Sequence, residues 1–323
     1  MKVILFITIL LSLFLIGCAS TSSFYDRLPF GKSDEKNAGL NMEEPIPNLG
    51  PNKGVLLGFQ KGNPPNMIRR DFDVALDAVN YMPEDVSGSF DLWSTNNGLE
   101  GFEKVEGGSF NVGSAIYEND VLVKPTLTSP FSQSTRFSNI RDGSTTQFKL
   151  IAEYDVNSVV DFNFCLTSPK GDYDSSCKSS ETLSGLKLGN YNSQYPVTVS
   201  SIRRDFSPVG ETTDLRVTLL IQLSNVGGGK VNTGFNTNKR ILDFDIFGPV
   251  NFECWSDDIL DKSGKNGPGG SSSISVEMEK SSVDVVCDGK IGVNRPRENI
   301  NMRIKTSYGY EIQAETPVIK VEG

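Results

Sequence analysis

Apolar and polar residues alternate one by one over long stretches of this chain, and that period predicts strands. Phe148, Leu150, Ala152 and Tyr154 share one face of QFKLIAEYDV, and Leu215, Val217, Leu219, Ile221 and Leu223 share one face of DLRVTLLIQLSN. Successive side chains of a strand point to opposite faces, so such runs predict half-buried antiparallel strands. DFDVALDAVN alternates as well, setting Phe72, Val74, Leu76 and Ala78 against Asp71, Asp73, Ala75 and Asp77. GVLLGF, SGSFDLWS, VVDFNFCL, PVTVSSIRRDF, RILDFDIFG, FECW, SISVEMEK, SVDVVC, NINMRIKTSYGYEIQ and TPVIKVEG read as further strands, with turn clusters VGGGK, GKNGPGG and CDGK between them. Many short strands separated by turn signals predict an all-β antiparallel sandwich architecture. The Gly- and Ser-rich text of 100–140 yields no strand order.

The pattern also repeats. DFDVALDAVN followed by DVSGSF resembles DLRVTLLIQLSN followed by GGKVNTGF: a long strand, an Asn, a turn and a second strand. FKLIAEYDVNSVVDFNFCL resembles MRIKTSYGYEIQAETPVIKV, with Tyr154 and Tyr308 in matching places. A tyrosine-bearing strand near the end of each half is a feature of Ig-type sandwiches. The expectation is therefore two tandem Ig-like or fibronectin-III-like sandwiches, at 54–167 and 196–323, joined by a connecting segment at 168–195.

Before the first strand lie two segments of different character. Residues 1–17 carry one lysine and then an apolar run from Val3 to Ile16, broken only by Thr8 and Ser12. This is the make-up of an export signal, and it is short of the roughly 20 apolar residues a spanning helix needs. Residues 18–53 are polar, rich in Pro, Gly, Ser and Asn, and without period, which reads as a flexible tether. A coil of that length has a root-mean-square span of roughly 30–35 Å.

Composition narrows the chemistry. Lys+Arg 31 against Asp+Glu 40 gives a net charge of −9, and no basic cluster offsets it, so nucleic acid is not an expected partner. The chain has no histidine, which removes Ser-His-Asp and Cys-His nucleophile systems and His-ligated zinc. No Gly-rich phosphate-binding motif and no Asn-x-Ser/Thr sequon is present. No cofactor is expected.

Five cysteines remain to be placed. Cys165, Cys177, Cys254 and Cys287 form an even set, which in an exported chain favours disulfides. Three connectivities are open, and the simplest closes Cys165–Cys177 and Cys254–Cys287 within each half. A four-thiolate metal site is the rival, without any close C-x-x-C pair to build it.

Two resemblances bear on function. Leu15-Ile16-Gly17-Cys18 resembles the lipobox of prokaryotic lipoproteins; the resemblance implies cleavage before Cys18 and lipidation of its thiol. YPVTVSSI with DLRVTLLIQLSNVGGGKV resembles CARDB-type and related Ig-like modules of prokaryotic surface proteins. Together with VLLGFQKGNPPNMI and FKLIAEYDV…FNFCL, it resembles a group of exported archaeal surface lipoproteins. These motifs are structural, with Asn225 and Gly227–Gly229 making a turn, and they carry no catalytic residue.

Candidate sites are few. Asp71, Asp73 and Asp77 line one strand face, as a solvated surface does. Asp257, Asp258, Asp261 and Asn266 lie near glycines and offer oxygen ligands for calcium, without the EF-hand spacing. Asp172 and Asp174 offer less. Trp93 and Trp255 sit in strands and are candidate partner contacts. Trp255 faces out if Cys254 faces in, and the sequence leaves that parity open. The expected function is a non-catalytic protein of the cell surface, anchored to the membrane through Cys18, that contacts an envelope protein or polysaccharide for adhesion or envelope organisation. A carbohydrate-binding or substrate-capture accessory role, possible with calcium, is the alternative.

Overall fold

A computed structural model describes residues 52–64, 67–68, 72–95, 103–119, 121–129, 135–137, 143–169, 177–189, 191–232, 240–256, 265–267 and 271–321. Cys18, the leader, nearly all of the tether, Asp71, Asp172, Asp174, Asp257, Asp258 and Asp261 lie outside the described residues. The described residues are mostly β-strand, paired antiparallel but for one short parallel pair, with two 3-10 turns and no α-helix, as the alternation predicts.

The main strands of the first half are β1 (Val55–Phe59), β2 (Leu76–Asn80), β3 (Val86–Ser94), β4 (Glu103–Val112) and β5 (Phe148–Leu166). Those of the second are β6 (Ser180–Ser184), β7 (Val197–Pro208), β8 (Asp214–Asn225), β9 (Lys230–Asn232), β10 (Ile241–Phe247), β11 (Asn251–Ser256), β12 (Ser271–Glu277), β13 (Ser282–Gly292), β14 (Glu298–Glu315) and β15 (Ile319–Val321). A large sheet runs β12-β10-β14-β5-β3-β4, with Lys265–Gly267 added beyond β12 and β9 also paired to β14. A five-stranded sheet runs β6-β7-β8-β13-β11. β1 and β2 form a smaller sheet with Thr126–Thr128.

The sequence repeat is also a repeat of hydrogen bonds. Val55 of β1 lies opposite Asn80 of β2, and Val197 of β7 lies opposite Asn225 of β8. Asn80 donates from Nδ2 to the Glu84 carbonyl at 2.7 Å and accepts from the Met82 N–H at 2.9 Å. Asn225 donates to the Gly229 carbonyl at 2.9 Å and accepts from the Gly227 N–H at 3.3 Å. Each asparagine thus closes its turn with the same two bonds, a side chain standing in for backbone partners. The Tyr154 hydroxyl accepts the Val55 N–H at 3.0 Å, and the Tyr308 hydroxyl accepts the Val197 N–H at 3.0 Å. Burial holds both phenols well above their ordinary pKa, so both remain protonated.

The two halves do not stand as separate cores, and here the expected boundaries need correction. β5 pairs with β14 from Lys149↔Glu315 to Leu166↔Glu298 without a break. β5 also pairs with β3 of the first half, and β14 with β10 of the second, so one sheet passes through both. Tyr154 faces Tyr310 and Tyr308 faces Val156, which places Tyr154 and Tyr308 symmetrically about the Asp155↔Gly309 pair. β15, at the end of the second half, pairs with Thr145–Thr146 and with Met67–Ile68. The buried apolar side chains accordingly form one cluster, and the described residues belong to one compact unit. Segment 168–195 does not separate two cores, and it is more than a connection: it supplies β6, an edge strand of the five-stranded sheet.

A second correction concerns DFDVALDAVN. Phe72–Val74 pairs with Thr135–Phe137, whereas β2 pairs with β1 and Thr126–Thr128. The change of partner at Ala75 breaks the alternation: Ala75, Leu76, Asp77 and Ala78 are all buried. Asp73 is exposed as expected, but Asp77 is not on a solvated face; its carboxylate accepts the Ser129 hydroxyl.

The matched tyrosines provide a test of the repeat. Tyr154→Phe and Tyr308→Phe each leave a buried N–H without its acceptor, an expected loss of about 1–3 kcal/mol. Urea unfolding should give losses of similar size for both variants. A loss at one site alone would show that the two hydroxyls are not equivalent anchors.

Candidate functional site

Both expected pairings of the even cysteine set are present: Cys165–Cys177 and Cys254–Cys287. The second determines what faces solvent. Cys254 of β11 lies directly opposite Cys287 of β13, with Cα atoms 4.1 Å apart, and both side chains are buried. Because parity alternates along a strand, Phe252 and Cys254 point inward and Asn251, Glu253 and Trp255 point outward. Trp255 is 41% exposed.

Its neighbours follow from the register. Trp255 lies opposite Val286 of β13, Val286 opposite Leu220 of β8, and Leu220 opposite Arg203 of β7. Leu220 is 37% exposed in the middle of the sheet. Four strands at a spacing of about 4.8 Å make this row roughly 14 Å long. The row on one side is Glu253, Asp288, Thr218 and Asp205, and beyond it come Asn251, Lys290, Arg216 and Ser207. The row on the other side contains Asp284, Gln222 and Ser201. An apolar stripe one residue wide therefore lies between two polar rows.

Several of these charges are already engaged. Arg216 donates through Nε and Nη2 to Asp288, with contacts of 2.7–2.9 Å, and the Thr218 hydroxyl donates to the same carboxylate at 2.9 Å. Those hydrogen bonds, Arg216 foremost, hold the Asp288 carboxyl below its ordinary pKa. Arg203 lies 3.1 Å from Asp205. At one end of the face, Ser207, Gly210, Arg216, Asp288 and Lys290 line an open groove of about 580 Å³.

The other candidates are placed differently. Trp93 is partly buried on β3, with its indole N–H covered and without an acceptor among the described residues, so it offers no open ring face comparable to Trp255. Asn266 is in the Lys265–Gly267 strand, paired with Ser272, while its acidic neighbours lie outside the described residues. Among the described residues, no three His, Cys, Asp or Glu side chains converge to hold a metal ion.

Sequence reasoning missed a carboxyl among tyrosines. Glu84 accepts the Tyr195 hydroxyl at 3.0 Å, and burial pushes its pKa up. Tyr117, pushed up to about 12 by burial and by Glu84, packs edge-on against Tyr191 at 4.9 Å and donates to the Tyr81 carbonyl. The cluster ties the Ile116–Lys124 hairpin to the start of β7. Its members come from three separate places in the chain, with Glu84 and Tyr195 separated by 111 residues, so no local signal announces it.

No family model matches the sequence, and no curated protein matches it. Among solved structures, the chain is similar to an anti-sigma factor domain-containing protein at 11% identity over 72% of this chain and 85% of that one, with a TM-score of 0.17. It is also similar to a crystallised protein in complex with neoagarooctaose, at 10% identity over 79% of this chain and 34% of that one, with a TM-score of 0.15. Likenesses at these TM-scores bear on neither fold nor function.

Proposed function

We propose that this chain is a non-catalytic binding protein of the cell surface, anchored to the membrane through lipid on Cys18 and acting by contact with an envelope component. The observation that carries the reading is Trp255, turned outward on a sheet whose register a disulfide fixes. A large aromatic side chain left exposed in one row with Val286 and Leu220, with polar rows on both sides, supports a contact surface rather than a reaction centre. The export-type leader, the Cys18 lipobox and the tether support display at a distance from the membrane. One acyl chain holds a protein only marginally, so stable retention calls for two or more.

Two measurements on intact cells test this. Cys18→Ser is expected to abolish lipid attachment and membrane retention; unchanged mass and retention would refute the anchor. A photo-crosslinker placed at Gln222, beside the apolar row, is expected to capture an envelope component, and Trp255→Ala is expected to abolish that capture. Capture that ignores the substitution, or a hydrolytic activity lost on one point substitution, would overturn the reading.

A further inference from the structure

We infer that the Trp255 face binds an uncharged polysaccharide chain lying across β11, β13, β8 and β7. The inference rests on the reading above that this face is the contact surface, and it names the ligand class. The first argument is shape. A stable protein interface buries about 800 Å² per partner around an apolar centre. Here the apolar row is one side chain wide, and hydrogen-bonding rows begin immediately on both sides. A sugar ring has matching proportions: its C–H face is apolar and its hydroxyls project around the rim. Rings seated on Trp255, Val286 and Leu220 direct those hydroxyls toward Glu253, Asp288 and Thr218 on one side and Asp284 and Gln222 on the other. A hydroxyl both donates and accepts, and these rows supply both kinds of partner.

The second argument is charge. Four carboxylates, Glu253, Asp288, Asp205 and Asp284, surround the row against three cations, Arg203, Arg216 and Lys290. Arg216 is committed to Asp288 and Arg203 to Asp205. An anionic chain bearing uronate, sulfate or phosphate therefore meets net repulsion, with both arginines occupied. A strongly basic partner finds Asp205 and Asp288 committed in the same two ion pairs and meets Lys290 beside the remaining Glu253 and Asp284. A neutral polyhydroxyl chain meets neither obstacle. The third argument is rigidity. The Cys254–Cys287 pair fixes the strand that carries Trp255, so little conformational freedom is lost when a ligand settles there.

The test uses the whole mature chain carrying Trp93→Phe, which leaves Trp255 as its single tryptophan, since the sequence has two. Soluble cello-, manno-, laminari- and chito-tetraose are titrated while tryptophan emission is followed, with polygalacturonate as the anionic comparison. At least one neutral tetrasaccharide is expected to give a saturable blue shift that EDTA leaves unchanged. Measured by calorimetry with Trp93 intact, Trp255→Ala is expected to weaken that binding by about tenfold or more, as removal of the main aromatic anchor does. Leu220→Ser is expected to weaken it less, and neither variant is expected to shift the melting temperature appreciably. The ligand class is wrong if no neutral tetrasaccharide binds, if polygalacturonate binds more tightly, if Trp255→Ala binds equally well, or if this face pairs two copies of the chain instead. If the sugars fail while cell-surface crosslinking still depends on Trp255, the contact surface stands with a different partner. If both fail, the surface falls with the ligand.

Discussion

Arg204→Ala is expected to destabilise the protein by about 3–5 kcal/mol, combining two lost hydrogen bonds to partly buried carbonyls with a cavity. The guanidinium is 1% exposed. Nη1 donates to the Cys165 carbonyl at 2.6 Å and Nη2 to the Lys178 carbonyl at 2.5 Å. Phe164 and Phe206 flank it, with ring centroids 5.6 and 4.9 Å away, and Glu181 approaches to 3.7 Å. One side chain thereby holds the end of β5, the residue after Cys177 and strand β7 together. Desolvation lowers its pKa despite the nearby carboxylates, yet a guanidinium stays protonated at any working pH. Arg204→Met restores the volume without the charge and should cost less than alanine, leaving mainly the two carbonyls unserved. Arg204→Lys keeps the charge but lacks the planar fork that reaches both carbonyls, so it should behave nearer to alanine than to arginine. Urea midpoints at constant m-value would establish this order; a loss under about 1 kcal/mol for alanine would show that the clamp is not structural.

The sequence announces Arg204 only as one of two adjacent arginines, and the reason is a bulge. Strict alternation from Val197 and Val199 would turn Arg203 inward and Arg204 outward. The register of β7 on β8 shifts between Val199 and Ser201, so Ile202 and Arg204 face the core while Arg203 joins the solvent row beside Leu220. One inserted residue thus buries one arginine and delivers the other to the candidate site. The strands themselves were legible because their alternation is strong. β5 nevertheless reads as two strands in sequence, QFKLIAEYDV and VVDFNFCL, because Asn157 and Ser158 resemble a turn. In the fold Ser158 points inward and shares a 2.6 Å hydrogen bond with Thr306 of β14, so two polar residues satisfy each other in the interior. That pairing joins the halves, and no local pattern encodes which edge meets which. The Asn and Tyr echoes were legible because each fixes one backbone group at a set position. The outward turn of Trp255 was legible only as a condition, resolved by the direction of Cys254.

Removing the two disulfides should separate their roles. The chain-entropy argument gives about 3–4 kcal/mol for the 33-residue separation of Cys254–Cys287 and about 3 kcal/mol for the 12-residue separation of Cys165–Cys177. The paired substitution Cys254→Ala with Cys287→Ala removes a bridge at the edge strand that carries Trp255, where β13 is the neighbouring strand in the sheet. It should therefore lower stability and also weaken any binding that depends on Trp255. Cys165→Ala with Cys177→Ala is different, because Arg204 grips the carbonyls of Cys165 and Lys178 at the same loop ends. Two clamps on one loop back each other up, so their losses should not add. In a cycle of Arg204→Ala against the Cys165/Cys177 pair, the combined variant should lose more than the sum of the separate losses. The same cycle run with the Cys254/Cys287 pair should be additive within about 0.5 kcal/mol. Additivity in both cycles would mean that the arginine and the nearby disulfide act independently.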